Sequence, residues 1–216
     1  VVAPSLNVIS AALAKHLTEY VTHGGHLVLG PRSGMKNEFN ALNLERQPGP
    51  LAETLGGRVE QFYALLDEVP VSGEWGSGHA AIWAEYLSTA APDAAVKLRY
   101  GPSNGWLDGQ PAVVSRKVGR GTVTYIGAVL DPVLLRTVAQ RLTKDAEVTA
   151  VTLSVPAGVE VCRRLRADRE VFVLINLSKQ AQSCDLPRAM TDVLAGGETS
   201  RVELPRYGVA VLSRPR

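Results

Sequence analysis

The chain has 216 residues, 45% of them apolar, and a formal charge of +2 from 23 basic and 21 acidic residues. This composition suits a globular protein with a buried core and excludes extensive disorder, and charges of both signs, interspersed, leave no basic stripe for a nucleic-acid backbone. No run is long enough to cross a membrane as a helix, no charged-then-apolar leader opens the chain, and Cys162 and Cys184 are too few for a disulfide framework or a four-cysteine zinc site.

The opening VVAPS lacks an initiator Met and reads as a buried strand running into a loop, the start of a piece cut from a longer chain. Ile9, Leu13, Leu17, Tyr20 and Val21 then recur at three- and four-residue spacing, which predicts a helix with one apolar face, stopped by Gly24 and Gly25. HLVLG follows as a short strand, and strand, helix, strand predicts a parallel crossover and hence an α/β beginning. A polar loop runs from Arg32 to Pro48. Pro50 suits the first turn of a short helix, PLAETL, closed by Gly56 and Gly57, before the strand-like RVEQFYAL.

From Val71 to Tyr125 the pattern turns strand-rich, with AAIWAEYL, AVKLRY and the hairpin PAVVSRKV-GRG-TVTYIGAVL. Asp131 and Pro132 cap a helix whose Leu134, Leu135, Val138 and Leu142 share a face. Beyond Ala146 no helical period returns. VEVCRRLR, REVFVLINLS, RVELP and GVAVLSR predict a small antiparallel β domain, with the boundary inside residues 143–158.

Taken in order, YVTHGGHLVLGPRSGMKNEFN, PGPLAETLGGRVEQFYAL, IWAEYL, DGQPAVVSRKVGRGTVTYIGAVLD, PAGVEVCRRL, VFVLINLS, MTDVLAGGE and LPRYGVAVL resemble the family 42 glycoside hydrolases, the bacterial β-galactosidases, over the part that follows their catalytic barrel. The motifs cover nearly the whole chain. The resemblance implies two domains. Residues 1–147 would be a trimerisation domain with a flavodoxin-like or class I glutamine amidotransferase-like α/β fold, and residues 148–216 a small antiparallel β-sandwich. It further implies a bacterial, cytoplasmic homotrimer in which the middle domains pack on one another and on the catalytic barrels of the same and neighbouring chains. Retaining hydrolysis of terminal β-galactosyl groups would rest on two glutamates in that barrel, and no cofactor is implied.

GMKNEFNALN contains an Asn-Glu pair, the dipeptide that carries the proton donor in many barrel glycosidases. Retaining hydrolysis needs two carboxylates about 5 Å apart across the scissile bond, and Glu38 sits in a polar loop after a single βα unit, so no catalytic residue is expected in this chain. The loop instead marks an interface or the wall of a neighbour's cleft, with Arg32, Asn37, Glu38, Phe39 and Asn40 as its candidates. Trp106, in the turn-rich GPSNGWLDGQ, joins them because tryptophan is enriched at the centres of contacts. Trp83 lies in an apolar strand and is expected in the core.

An amidotransferase would need a cysteine on a strand-to-helix elbow, whereas Cys162 and Cys184 fall in strand-like contexts and read as structural thiols, reduced in a cytosolic protein or joined in one bridge. His16, His23, His26 and His79 show no metal-ligand spacing, and His23 and His26 flank a helix-ending double glycine. VGRGT lacks the Lys-Ser/Thr of a phosphate loop and reads as a hairpin turn. A carbohydrate-binding module and an amidotransferase-like enzyme without a recognisable nucleophile stand as the alternative functions.

Overall fold

Ser10 sets the start of α1 (Ala11–Thr22): its Oγ accepts the Leu13 N–H at 3.1 Å, satisfying one of the amides that a helix start leaves open. The computed structural model describes residues 1–103, 105–149 and 153–216, and these fall into two compact units, Val1–Val148 and Thr149–Arg216. At its far end α1 stops on His23, whose backbone N–H bonds the Glu19 carbonyl while its ring Nδ1 lies 2.7 Å from the same oxygen. Helix and flanks make the expected parallel crossover, since β1 (Val2–Ala3) pairs in parallel with β2 (His26–Leu29). β1 is the outermost strand of its sheet, so Val1 and Val2 are exposed rather than buried.

The α/β fold expected for residues 1–147, flavodoxin-like or amidotransferase-like, does not form. Among the described residues only one more pair of strands is parallel, β2 with β8 (Gly121–Ile126). The other pairs of this sheet are antiparallel, through β3 (Gly57–Ala64), β4 (Val69–Gly73), β5 (Gly76–Thr89), β6 (Ala95–Tyr100), β7 (Pro111–Val118) and β9 (Ala128–Leu130). A doubly wound sheet needs a helix between successive parallel strands. Here the helices after α1 are the four-residue α2 (Ala52–Leu55) and α3 (Pro132–Asp145), which follows the last strand of the sheet instead of linking two of them. The unit is a nine-stranded, mainly antiparallel β structure that opens on one βαβ step.

β5 organises it. Ala80 pairs with Val69 of β4 and with Leu130 of β9, and Ala84 pairs with Tyr63 of β3 and with Ala128 of β9, so β9 lies on the opposite side of β5 from β3 and β4. Since β4 pairs β6, β6 pairs β7, β7 pairs β8, and one glycine separates β8 from β9, the strand pairings run in a circuit. Inside it sit Val71, Leu98, Tyr100, Val113 and Leu130, closed by Leu134 and Val138 of α3. A second cluster lies on the other face, where Ala14 and Val21 of α1 and Leu51 and Leu55 around α2 meet Leu27, Val123 and Tyr125. Asp131 caps α3 as the Asp-Pro pair implied, its Oδ1 accepting the Val133 and Leu134 N–H groups.

The second unit is a five-stranded antiparallel sheet in the order β10 (Val159–Leu165), β11 (Arg169–Asn176), β14 (Val209–Pro215), β12 (Gln182–Asp192), β13 (Glu198–Leu204). Alternate residues of β11, Phe172, Leu174 and Asn176, are fully buried, the period-two pattern of a strand with one face on a core. Cys184 is buried there and Cys162 is half-buried, both as free thiols. Of the domain boundary sought in residues 143–158, positions 150–152 lie outside the described residues.

Glu170, on the same row of β11, is held by Arg163 and Arg214, the latter with Nη2 at 2.5 Å. Those hydrogen bonds, Arg163 first, keep its carboxyl below the usual range. The folded unit therefore binds that proton more weakly than the unfolded chain. The stabilisation is present above the unfolded pKa and is lost as pH falls through the folded one. In an acid titration followed by circular dichroism, Glu170→Gln is expected to be less stable than the wild type at neutral pH and to lose less stability on acidification.

Candidate functional site

The loop between β2 and α2 is built rather than slack. At its base Ser33 is buried, accepting the Leu6 N–H and donating to the Gly30 carbonyl at 2.7 Å. The amides of Gly34 and Lys36 bond the carbonyls of Leu6 and Asn7, and Ile9 N–H returns to Lys36. Gly34 has φ +69°, and a Cβ there would stand 2.1 Å from the Pro48 oxygen, so the two arms of the loop touch at a point only glycine fits. Asn43 ties the arms again, its Nδ2 donating to the Gly34 carbonyl at 2.8 Å.

Asn37 shapes the tip. Its Oδ1 accepts the N–H groups of Phe39 and Ala41 at 3.0 and 3.1 Å, and Lys36 Nζ reaches Asn40 Oδ1 at 2.9 Å, beside the left-handed backbone of Asn40 at φ +61°. The tip so formed holds Phe39 out at 83% exposure, with Leu42 and Leu44 also exposed. Glu38 and Glu45 border a hollow of about 320 Å³. A pair of catalytic carboxylates must be held rigidly across a sugar ring in a walled site, and these two stand exposed on an open loop.

Arg32 belongs to a different constellation, one the sequence did not announce. Its backbone N–H donates to Glu85 Oε1 at 2.9 Å, and Trp83 Nε1–H donates to the same oxygen at 3.0 Å. Tyr125 donates to Glu85 Oε2 at 2.7 Å, and Tyr100 OH bonds the Glu85 carbonyl at 2.9 Å. Glu85 is 0% exposed. Burial pushes its carboxyl above the usual range, with the hydrogen bonds from Trp83, Tyr125 and Arg32 pulling the other way. Burial likewise raises the Tyr125 hydroxyl well above its ordinary value, reinforced by the charge of Glu85.

Outside this clamp the Trp83 ring is half-buried, not in the core. Phe62 stacks on it at 5.1 Å, and the Arg32 guanidinium lies 5.6 Å from its centroid. Next to it Ile82 sits at φ +68°, a strained conformation for a β-branched residue, where the β5–β9 register shifts between Ala80 and Ala84. The kink leaves Ile82 71% exposed. Leu66 is fully exposed nearby, in the turn where Leu65 N–H bonds the Ile82 carbonyl.

Trp106 stands apart from this group. Its ring lies 5.5 Å from that of Tyr63, tilted by 37°, and Tyr63 follows Phe62 on β3, so the Tyr63 and Phe62 rings leave the strand on opposite faces. Trp106 is 68% exposed, and its loop neighbour Asn104 lies outside the described residues. The structure thus joins Arg32 to Trp83 and Glu85 and gathers Asn37, Phe39 and Asn40 in one turn, but it puts Trp106 across the sheet. Sequence reasoning misses Glu85; the one signal it leaves is a single carboxylate inside the apolar run AAIWAEYL.

A larger cleft of about 870 Å³ lies between the sheet and the C-terminal end of α3, bordered by Lys97, Lys117, Arg120, Arg141 and Asp145, with Trp75 at its wall. Its charges are mostly paired, Lys97 with Glu74 and Arg141 with Asp145. Among the described residues no three His, Cys, Asp or Glu side chains converge as a metal site, and no helix is long and apolar enough to cross a membrane.

Residues 1–149 match the family model described as the β-galactosidase trimerisation domain. Among curated relatives, β-galactosidase BglY of Alicyclobacillus acidocaldarius is 34% identical over 229 residues, covering 100% of this chain and 32% of its own. β-Galactosidase Bga of Halorubrum lacusprofundi is 38% identical over 140 residues, 59% of this chain and 20% of its own. Among solved structures, the β-galactosidase of Bacillus circulans sp. alkalophilus superposes with a TM-score of 0.82 at 25% identity, over 99% of this chain and 32% of that one. The chain spans about a third of the length of such relatives.

Proposed function

This chain belongs to the β-galactosidase trimerisation-domain family, and we propose that it acts by assembly rather than by chemistry, through the surface built from the Arg32–Pro48 loop and the β3–β5 edge. The observation that carries this reading is that exposed apolar side chains are displayed there by costly local structure. Phe39 is held out by the Asn37 turn, and Ile82 by a strained kink. Strain of this sort persists where a function uses it, and grouped exposed apolar residues mark interaction sites. The partner is a further copy of the chain in a homotrimer, with Arg32, Asn37, Glu38, Phe39 and Asn40 at a subunit contact or along a neighbour's cleft and Trp106 at a separate contact. In the longer protein, hydrolysis of terminal β-D-galactosyl groups belongs to the catalytic barrel, by two glutamates outside this chain. Its two free thiols suit a reducing, cytoplasmic setting.

Light scattering across a dilution series tests this. A trimer is expected at high concentration, and Phe39→Asp, at a side chain so exposed that folding does not depend on it, is expected to weaken association by about tenfold or more. A monomer at every concentration, or a trimer indifferent to Phe39→Asp, refutes the assigned surface. In parallel the chain is expected to show no turnover of a chromogenic β-galactoside and no Trp fluorescence change on titration with galactose. Turnover would overturn the non-catalytic reading, and saturable quenching would favour a sugar-binding one.

A further inference from the structure

Glu85 is a buried carboxylate that hydrolysis, as assigned above, does not use. Its Oε1 receives one N–H from the loop, that of Arg32, and one from the strand, that of Trp83. Both donors belong to residues that present side chains outward: the Arg32 guanidinium covers one side of the Trp83 ring system, and Phe62 stacks with it from the neighbouring strand. Arg32 also needs a specific hold, because it sits at φ +65°, where a residue with a Cβ is strained. On its other oxygen Glu85 is fixed by Tyr125, and its own backbone is locked by the Gly127 carbonyl through N–H and by Tyr100 through the carbonyl. The carboxylate is thus anchored from the core side and gathers the surface side.

We infer that Glu85 is the positioning residue of this surface, a clamp that registers the Arg32 end of the loop on β5 and so sets the Phe62–Trp83–Arg32 stack in the form presented to another copy of the chain. The inference rests on the assembly reading for its consequence, but not for its geometry. A glutamine keeps the two N–H contacts, because its carbonyl oxygen accepts both, while toward Tyr125 the bond reverses, the amide donating to the phenol oxygen that donated to Glu85. Leucine fills a similar volume and accepts nothing, leaving the Arg32 and Trp83 N–H groups and the Tyr125 hydroxyl without this partner. A role in filling space alone ranks leucine no worse than glutamine; a clamp ranks them the other way.

The test is hydrogen exchange by NMR on the Arg32 amide and the Trp83 indole proton, with association measured on the same samples of the full chain. In the wild type the Arg32 amide, although it belongs to an exposed loop residue, is expected to exchange as slowly as the amides of β5. This arm needs no variant, and fast exchange there overturns the clamp even if E85L fails to fold. In E85L both protons are expected to exchange about 10- to 100-fold faster, the loss of a hydrogen bond to a charged acceptor, and association is expected to weaken. In E85Q both measurements are expected to stay within about threefold of the wild type. Unchanged protons in E85L, or E85Q behaving like E85L, overturn the clamp. Freed protons with unchanged association overturn its role in assembly. A wild type that is monomeric throughout refutes the assembly reading alone, and the proton exchange still decides the clamp.

Discussion

Gly34→Ala is expected to destabilise the first unit by about 4 kcal/mol and to dismantle the Arg32–Pro48 loop. Two costs combine. At φ +69° an alanine pays about 1–2 kcal/mol for the left-handed backbone alone. The added Cβ would also lie 2.1 Å from the Pro48 oxygen and 2.4 Å from its carbonyl carbon, an overlap with main chain that no side-chain rotation relieves. Pro48 is buried and cannot swing away without parting the two arms of the loop, and Asn43 would lose its hold on the Gly34 carbonyl. Gly109 supplies the control, with φ +72° and nothing within 4 Å of its would-be Cβ, so its alanine variant is expected to cost only about 1 kcal/mol. Trp75, Trp83 and Trp106 all lie in the first unit, so urea unfolding followed by Trp fluorescence reads it directly. Equal midpoints for the two variants would show that the loop arms are not pinned at Gly34.

In the second unit the largest effect is expected at Asn176. Its side chain is fully buried and saturated: Nδ2 donates to the carbonyls of Gln180, Leu204 and Pro205 at 2.7, 3.2 and 2.9 Å, while Oδ1 accepts the Ser178 N–H and hydroxyl at 2.9 and 2.7 Å. It joins the end of β11 to the turn that directly follows it, at Ser178 to Gln180, and to Leu204 and Pro205, which are distant in sequence. Asn176→Ala strips partners from several buried groups at once and is expected to cost on the order of 3 kcal/mol. Asn176→Asp, nearly the same shape, is expected to be at least as damaging, because it turns a carboxylate oxygen toward three carbonyl oxygens. A requirement for shape alone predicts the reverse order. Amide exchange of Phe172 and Leu212, which face each other in the β11–β14 ladder, measures it.

The local elements of this chain were written in its sequence. The spacing of Ile9 to Val21 marked α1, Gly24 and Gly25 its end, Asp131 and Pro132 the start of α3, and the GRG turn the β7–β8 hairpin. Each is decided by neighbours within a few residues, through caps, turn conformations and apolar period. Motif order across the whole length also carried the family. The α/β expectation failed because an opening βαβ step was extended to a sheet whose later strands are joined without helices; whether strands pair in parallel depends on connections, which periodicity does not report.

The candidate surface was legible only in part. Arg32, Asn37, Glu38, Phe39 and Asn40 stand out in the sequence as members of a long polar loop, but the reason Arg32 matters, Glu85, lies 53 positions further along the chain. Trp83 read as core because its strand is apolar, yet the bulge at Ile82 brings its ring to the surface between Phe62 and Arg32. Sequence by itself determined the helices, the Asp131 cap and the glycine stops, most of the strands, the antiparallel character of the second unit and the family. Tertiary structure alone decided which strands meet, where β5 bends, and that one buried carboxylate serves both a loop and a strand. The physical reason is that hydrogen-bond satisfaction of a buried group is settled by whichever donors the fold brings within about 3 Å, and those donors need have no relation in sequence.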